Sequence, residues 1–316
     1  MPRSLPAVYN PAPMGIRLVY GLKTNDLSYL KEFYPSRRLA EAAASLSLDY
    51  GELLYPPGSP FTPILSACQG HLALFRGELP MALYETLESS GLRVVNSAAS
   101  TALARDKYRS ASFFKYLGLA HPRTLCFSLP AAVNRAAEPR DEPGAPPAPP
   151  ALPLPLPFVA KPRCGKMGRG VALIESPQAW QAYAQAHEGE FIAQDYIASS
   201  FGRDIRFFFA AWPGGKPWLC VQRQGLGFLS NAHAGGRMSL YEPPAGLVAE
   251  AERAFAASGL SYGSVDFLFA DGAGSSFLIG EVNACPGFEE LERACGLDAA
   301  AAILKAATGQ AGAKRA

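Results

Sequence analysis

The chain has 316 residues, of which 49% are hydrophobic, and a formal charge of +2. That length calls for two or three subdomains, and the near-neutral balance gives no electrostatic case for nucleic acid or an anionic membrane as a main partner. Six cysteines without CxxC or Cys/His spacing read as free thiols, and with no leader pattern or membrane-length apolar run the expected location is the cytoplasm.

The first part alternates strand and helix signals. Strands are predicted over 16–22, 48–55, 71–75 and 92–95, with helices over 37–47 and 83–90. Such alternation implies an α/β unit with an open parallel sheet. No GxGxxG fingerprint occurs there, so a dinucleotide site is not supported. A helix is predicted over 102–117, closed by Gly118, with Asp106-Lys107 in its middle.

Residues 139–157 hold nine of the chain's 28 prolines. That density rules out regular helix or sheet interior and reads as a surface insertion. Strands at 158–161 and 171–174 come next, flanking a glycine loop at 164–170. Beyond them lie a helix at 177–187, strands at 191–196, 204–211 and 219–223, and an amphipathic helix at 245–258 ending at Gly259. Two apolar runs, 264–269 and 277–283, are joined by a Gly-rich turn and read as a hairpin. A terminal helix is expected at 298–307, and no internal repeat is found.

That hairpin carries the strongest chemical signal. Strand side chains alternate between faces, so Glu281 and Asn283 point the same way, and in a suitable register Asp266 joins them. Two carboxylates and an amide oxygen are hard ligands suited to Mg²⁺, which nucleotide phosphates usually complete. Lys161, beside the cationic loop with Gly168 and Gly170, fits a phosphate cradle, although this is no Walker A motif. Gln194-Asp195-Tyr196-Ile197 suits a nucleotide base and ribose. Asp204 and Arg206 share a strand face, and Arg206 and Arg223 match a carboxylate or a transferring phosphoryl group.

In this order the motifs resemble those of the ATP-grasp ligases, specifically the RimK-type amino-acid ligases. The matching residues are Asn96-Ser97, Asp106-Lys107, Pro122-Arg123-Thr124, Lys161-Pro162, Gly168-Arg169-Gly170-Val171 and Gln194-Asp195-Tyr196-Ile197. They continue with Gly202-Arg203-Asp204-Ile205-Arg206, Ser230-Asn231 with Gly235-Gly236, Val265-Asp266, and Glu281-Val282-Asn283-Ala284-Cys285-Pro286-Gly287. The resemblance covers roughly residues 15–307.

The resemblance implies an α/β ATP-grasp architecture: an N-terminal domain over 1–95, a central subdomain over 96–195 with the lid loop and the insertion 138–157, and a C-terminal subdomain over 196–316. ATP would lie between the last two. Lys107 and Lys161 would meet its phosphates under the 164–170 lid. Gln194, Asp195, Tyr196 and Ile197 would form the adenine and ribose hinge, with Asp204 near the ribose. Asp266, Glu281 and Asn283 would hold one or two Mg²⁺ ions, or Mn²⁺. Arg206, Arg223 and Asn231, with Ser230 beside it, would contact substrate and γ-phosphate.

The implied reaction joins a small-molecule or peptide carboxylate to an amine through an acylphosphate, without nucleic acid or membrane and with a homo-oligomer allowed. A phosphotransferase or a non-catalytic nucleotide-binding module on the same scaffold are the alternatives. Three departures from the family pattern bear on the substrate: Asp195 for the usual Glu, Leu229 for the usual Arg, and Cys285 for a small hydroxyl residue.

Overall fold

The computed structural model describes residues 15–24, 26–129, 151–165, 168–228 and 236–309. Their strands form three sheets. In the first, β1 (Ile16–Gly21), β2 (Tyr50–Tyr55), β3 (Leu72–Gly77) and β4 (Val94–Val95) run parallel in the order β2-β1-β3-β4. The unbroken run Leu72-Ala73-Leu74-Phe75 reflects burial on both faces. Helices α1 (Leu27–Glu32), α2 (Tyr34–Ser45), α3 (Thr62–Ala67) and α4 (Met81–Ser89) accompany this sheet. Val19, Ala73 and Phe75 pack in one core with Ile64 of α3 and Leu83 and Leu87 of α4. Leu18, Leu72 and Leu74 belong to a second core with Leu39 of α2 and with Ile303 and Leu304.

The single helix expected over 102–117 is two. Asp106 is extended, with φ −95° and ψ 103°, and separates α5 (Ala98–Arg105) from α6 (Lys107–Tyr116). Its carboxylate accepts from the backbone N–H groups of Tyr108 and Arg109, at 3.0 and 3.1 Å, so it caps the second helix. Lys107 therefore stands at a helix start, not on a mid-helix face.

The second sheet is antiparallel, with β5 (Thr124–Leu129), β6 (Phe158–Pro162), β7 (Ala172–Ile174) and β8 (Gly189–Asp195) in the order β5-β8-β6-β7. Helix α7 (Pro177–Ala186) covers it through Trp180, Tyr183 and Ala184. The third sheet is antiparallel too, in the order β11-β10-β9-β12-β13. It comprises β9 (Arg203–Phe209), β10 (Trp218–Gln224), β11 (Arg237–Leu240), β12 (Gly263–Phe269) and β13 (Phe277–Asn283). Helix α8 (Ala245–Ser258), stopped by Gly259 in the left-handed region, packs on it together with α5 and α6. Two further helices, α9 (Glu289–Cys295) and α10 (Ala299–Thr308), complete the described chain, and α10 returns to α2 beside the first sheet.

Alternation along β9 divides the third sheet by face. Ile205, Phe207 and Phe209 enter the core under α8. Phe208, on the opposite face, joins the core shared with the N-terminal sheet, as do Val221 and Tyr262. Asp204 and Arg206 lie on that same face, farther from the apolar end of the strand. One sheet face thus packs against the first sheet and presents the polar residues Asp204 and Arg206.

Elements missed from sequence include α1, α3, β5, β11 and α9. Strand β11 has an exposed or half-exposed run, Arg237-Met238-Ser239-Leu240, with no buried alternation to reveal it. Most of the proline-rich insertion (130–150) lies outside the described residues.

Candidate active site

Strict alternation along β13 would put Ile279 and Glu281 on one face. The pairing instead shifts between Asp266 and Phe267: Asp266 opposes Glu281, while Phe267 opposes Ile279. Gly280 is the extra residue of this bulge, which resets the phase and re-aims the residues after it. Ile279 and Val282 both enter the core. Glu281 and Asn283 turn to the other face, and the cross-strand row reads Val221–Arg206–Asp266–Glu281.

Asp266 is buried between two guanidinium groups. Arg206 donates through Nε and Nη2 at 2.8 and 2.6 Å, and Arg223 adds a bond of 2.8 Å. Arg223 also grips Asp204 side-on, with two bonds of 2.6 Å. Burial alone would push the Asp266 carboxyl up; Arg206 and Arg223 outweigh it and hold the group below the usual carboxylate range. Asp204 is therefore a partner of Arg223 here. Glu281 has no hydrogen bond or ion pair within 4 Å among the described residues. Asn283 Oδ1 accepts from the Cys285 N–H at 2.9 Å and keeps a second lone pair.

These oxygens fit a hard divalent cation in chemistry. The Glu281 carboxylate is available, Asn283 is half-used, and Asp266 would have to release an arginine to take an ion.

Across from this row stand two lysines. Lys161, on β6, donates to Gln194 Oε1 at 2.9 Å, and Lys107 donates to the Gly165 carbonyl at 2.7 Å. Neither forms an ion pair among the described residues. Burial lowers the Lys161 pKa; Glu281 pulls it back up and Lys107 lowers it again, leaving it at about 8. Lys161, within electrostatic reach of Glu281 and of Lys107, makes with Lys107 a pair of neighbouring cations that a polyanionic phosphate would neutralise.

Arg163 holds this region together, a role that sequence reasoning missed. It grips Asp106 at 2.6–3.0 Å and Glu190 at 3.0 Å, and its carbonyl accepts the Lys107 N–H. Asp106 and Arg163 are 57 residues apart, so no local pattern announces the pair. Gly168 and Gly170 have φ of +71° and +68°, and a Cβ on Gly170 would meet Pro162 at 2.9 Å.

The residues expected at a nucleotide hinge, Gln194 to Ile197, lie at the end of β8 and just beyond it. Gln194 bridges Lys161 and Thr124, and Asp195 pairs with Arg123 at 3.1 Å. Tyr196 lies 6.1 Å from Phe228, centroid to centroid, and Ile197 leads into a short helical turn. Ser230, Asn231 and Leu229 lie outside the described residues.

The description "RimK-like ATP-grasp domain" matches residues 149–307. The chain is 31% identical over 229 residues to a Marinomonas protein named "Probable alpha-L-glutamate ligase", covering 71% of this chain and 70% of that one. The chain belongs to the RimK-like ATP-grasp family.

That membership makes it an ATP-dependent carboxylate–amine ligase by family. Solved structures agree in fold. D-alanine–D-alanine ligase from Bacillus anthracis, complexed with ATP, superposes with a TM-score of 0.63 at 18% identity, covering 94% of this chain and 97% of that one. An ATP-grasp RimK domain protein from Sphaerobacter thermophilus gives 0.60 at 21% identity, over 92% and 99%. In this RimK-like protein Asn96, just after the N-terminal sheet's β4, ties that sheet to the chain flanking the β12–β13 hairpin. Its Nδ2 donates to the carbonyls of Tyr262 and Ala284, at 2.9 and 2.7 Å, while Oδ1 accepts from the Ser261 N–H at 2.8 Å.

Proposed function

We propose that this RimK-like protein joins the carboxylate of an amino acid or peptide to an amine, using ATP and Mg²⁺ through an acylphosphate. The observation that carries this reading is the row Asp266–Glu281, with Asn283 beside it, set opposite Lys107 and Lys161. Phosphoryl transfer needs positioning and charge neutralisation more than a protein nucleophile. Lys161 and Lys107 would hold the phosphates, and the 164–170 loop would exclude water from the reactive acyl group. Arg206 and Arg223 would steady the incoming carboxylate once they release Asp266. Mg²⁺ bound by Asp266, Glu281 and Asn283 would supply charge neutralisation at the phosphates. L-Glutamate is the first acid to try, since relatives carry the name of glutamate ligases.

The test is a matrix of amino acids and amines with ATP and Mg²⁺, read by phosphate release and product mass. ADP, phosphate and a condensed amide are expected only when acid and amine are both present. Hydroxylamine replacing the amine should yield a hydroxamate from the acylphosphate. Nucleotide binding with no condensation across the matrix would overturn the reading; a stable phosphorylated acid would point to a kinase instead.

A further inference from the structure

Arg76 is the penultimate residue of strand β3, at the sheet's carboxyl edge, where open α/β sheets receive ligands. It is 2% exposed and has no carboxylate within ion-pair distance among the described residues. Its Nη1 donates to the Tyr262 hydroxyl at 3.2 Å and its Nη2 to the Pro286 carbonyl at 2.8 Å. Its Nε is buried without any partner. Phe288 lies against the guanidinium, 5.1 Å from ring centre to Cζ. Tyr20, its register neighbour on β1, is pushed up to about 12 by burial against the pull of the Arg76 guanidinium beside it, and stays neutral at physiological pH; the Cys285 thiol and the Tyr262 hydroxyl are the guanidinium's other polar neighbours.

The other two arginines of this region bind differently. Arg206 and Arg223 each present the Nε–Nη2 edge to a carboxylate and bind it side-on. At Arg76 the same edge is half-used, with Nη2 on one carbonyl and Nε on nothing. A latch for Pro286 needs only a neutral donor, so the charge is unexplained by it. Tyr262, just before β12, and Ser264 and Asp266 within it alternate onto one face, so Arg76 lies along the strand direction from the Asp266 row. The Ser264 hydroxyl between them is a second buried polar group without a partner.

We propose that Arg76 anchors the non-reacting carboxylate of an amino-acid substrate, the Pro286 carbonyl standing in for it in the free protein. The carboxylate takes Nη2 from Pro286 and fills Nε, giving the side-on pair seen at Arg206 and Arg223. The substrate class is then an amino acid or peptide that carries a free carboxylate besides the reacting group. This assignment rests on the ligase reading and names a contact from the N-terminal domain.

Each L-amino acid and its α-carboxamide are titrated into protein loaded with AMPPNP and Mg²⁺, by calorimetry, for wild type, Arg76→Gln and Arg76→Lys. Wild type should prefer at least one free acid over its carboxamide by about 10–150-fold, the range of a hydrogen bond to a charged group. Arg76→Gln should lower that preference to about threefold or less, with AMPPNP affinity retained. Should Arg76→Gln not fold, Arg76→Lys, which keeps the charge but loses the side-on edge, must still lower it at least about threefold. A preference unchanged by substitution, or absent in wild type, overturns the assignment while leaving the ligase reading intact. Failure of wild type to bind AMPPNP would strike the ligase reading itself.

Discussion

The Asp266 carboxylate and the Arg206 guanidinium form a side-on pair, with bonds of 2.8 and 2.6 Å, on adjacent strands of the C-terminal sheet. A buried pair of this kind contributes little net stability, yet breaking it leaves a buried charge. Asp266→Ala should cost about 3–5 kcal/mol by thermal or urea melting. It should also reduce turnover by about 10²–10³-fold, as expected when a transition-state charge contact is lost. The double variant Arg206→Met/Asp266→Leu should regain at least half of the lost stability and none of the turnover. Recovery of turnover would remove both residues from the chemistry.

The bulge at Gly280 makes a separate test. Its built Cβ would lie 3.5 Å or more from its neighbours, so Gly280→Ala should be tolerated within about 1 kcal/mol. Deleting Gly280 closes the bulge: Ile279 and Glu281 become neighbours, and plain alternation still sends Glu281 to the face of Asp266. The deletion and Gly280→Ala should both keep Mn²⁺ binding in the presence of AMPPNP, measured by paramagnetic relaxation, while Glu281→Ala should abolish it. Loss of Mn²⁺ binding from a folded deletion variant would show that Gly280 does more than reset the phase of the strand.

Lys161 should take up a proton when ATP binds. Its pKa is lowered from 10.5 to about 8, first by burial. Below pH 8 the amine is charged in both the folded and unfolded chain, and the burial penalty is fully present. Between about pH 8 and 10.5 the unfolded chain holds a proton that the folded one has lost, so this group's contribution to stability rises with pH. Phosphate favours the ammonium and raises the pKa. Calorimetric ATP titrations at pH 8.5, in buffers of different ionisation enthalpy, should show uptake approaching one proton, absent in Lys161→Met. No buffer dependence in wild type would contradict this.

Asn96 ties the end of the N-terminal sheet to the chain flanking the β12–β13 hairpin through four backbone groups. Asn96→Ala leaves those groups buried and unpaired, and should lower stability by at least about 2 kcal/mol. Asn96→Asp, which keeps Oδ1 for the Ser261 N–H but sets an acceptor against the two carbonyls, should be no better. A melting temperature equal to wild type in either variant would mean that water replaces the amide.

The family and the residue types of the site are legible in the sequence because they depend on short motifs in a fixed order. Alternating apolar strands, glycine turns and the Glu281-Val282-Asn283 triplet are local, and local patterns survive reading without coordinates. Helix 102–117 misled because its apolar spacing continues across Asp106, where a capping carboxylate breaks the backbone pattern. Only the tertiary structure decided how distant groups meet. It set the phase of β13 through an unpaired glycine, placed two arginines on the Asp266 carboxylate, and brought Arg163 to Asp106 across 57 residues. These outcomes depend on register and on which charges share a buried space, and no single segment of the chain encodes either.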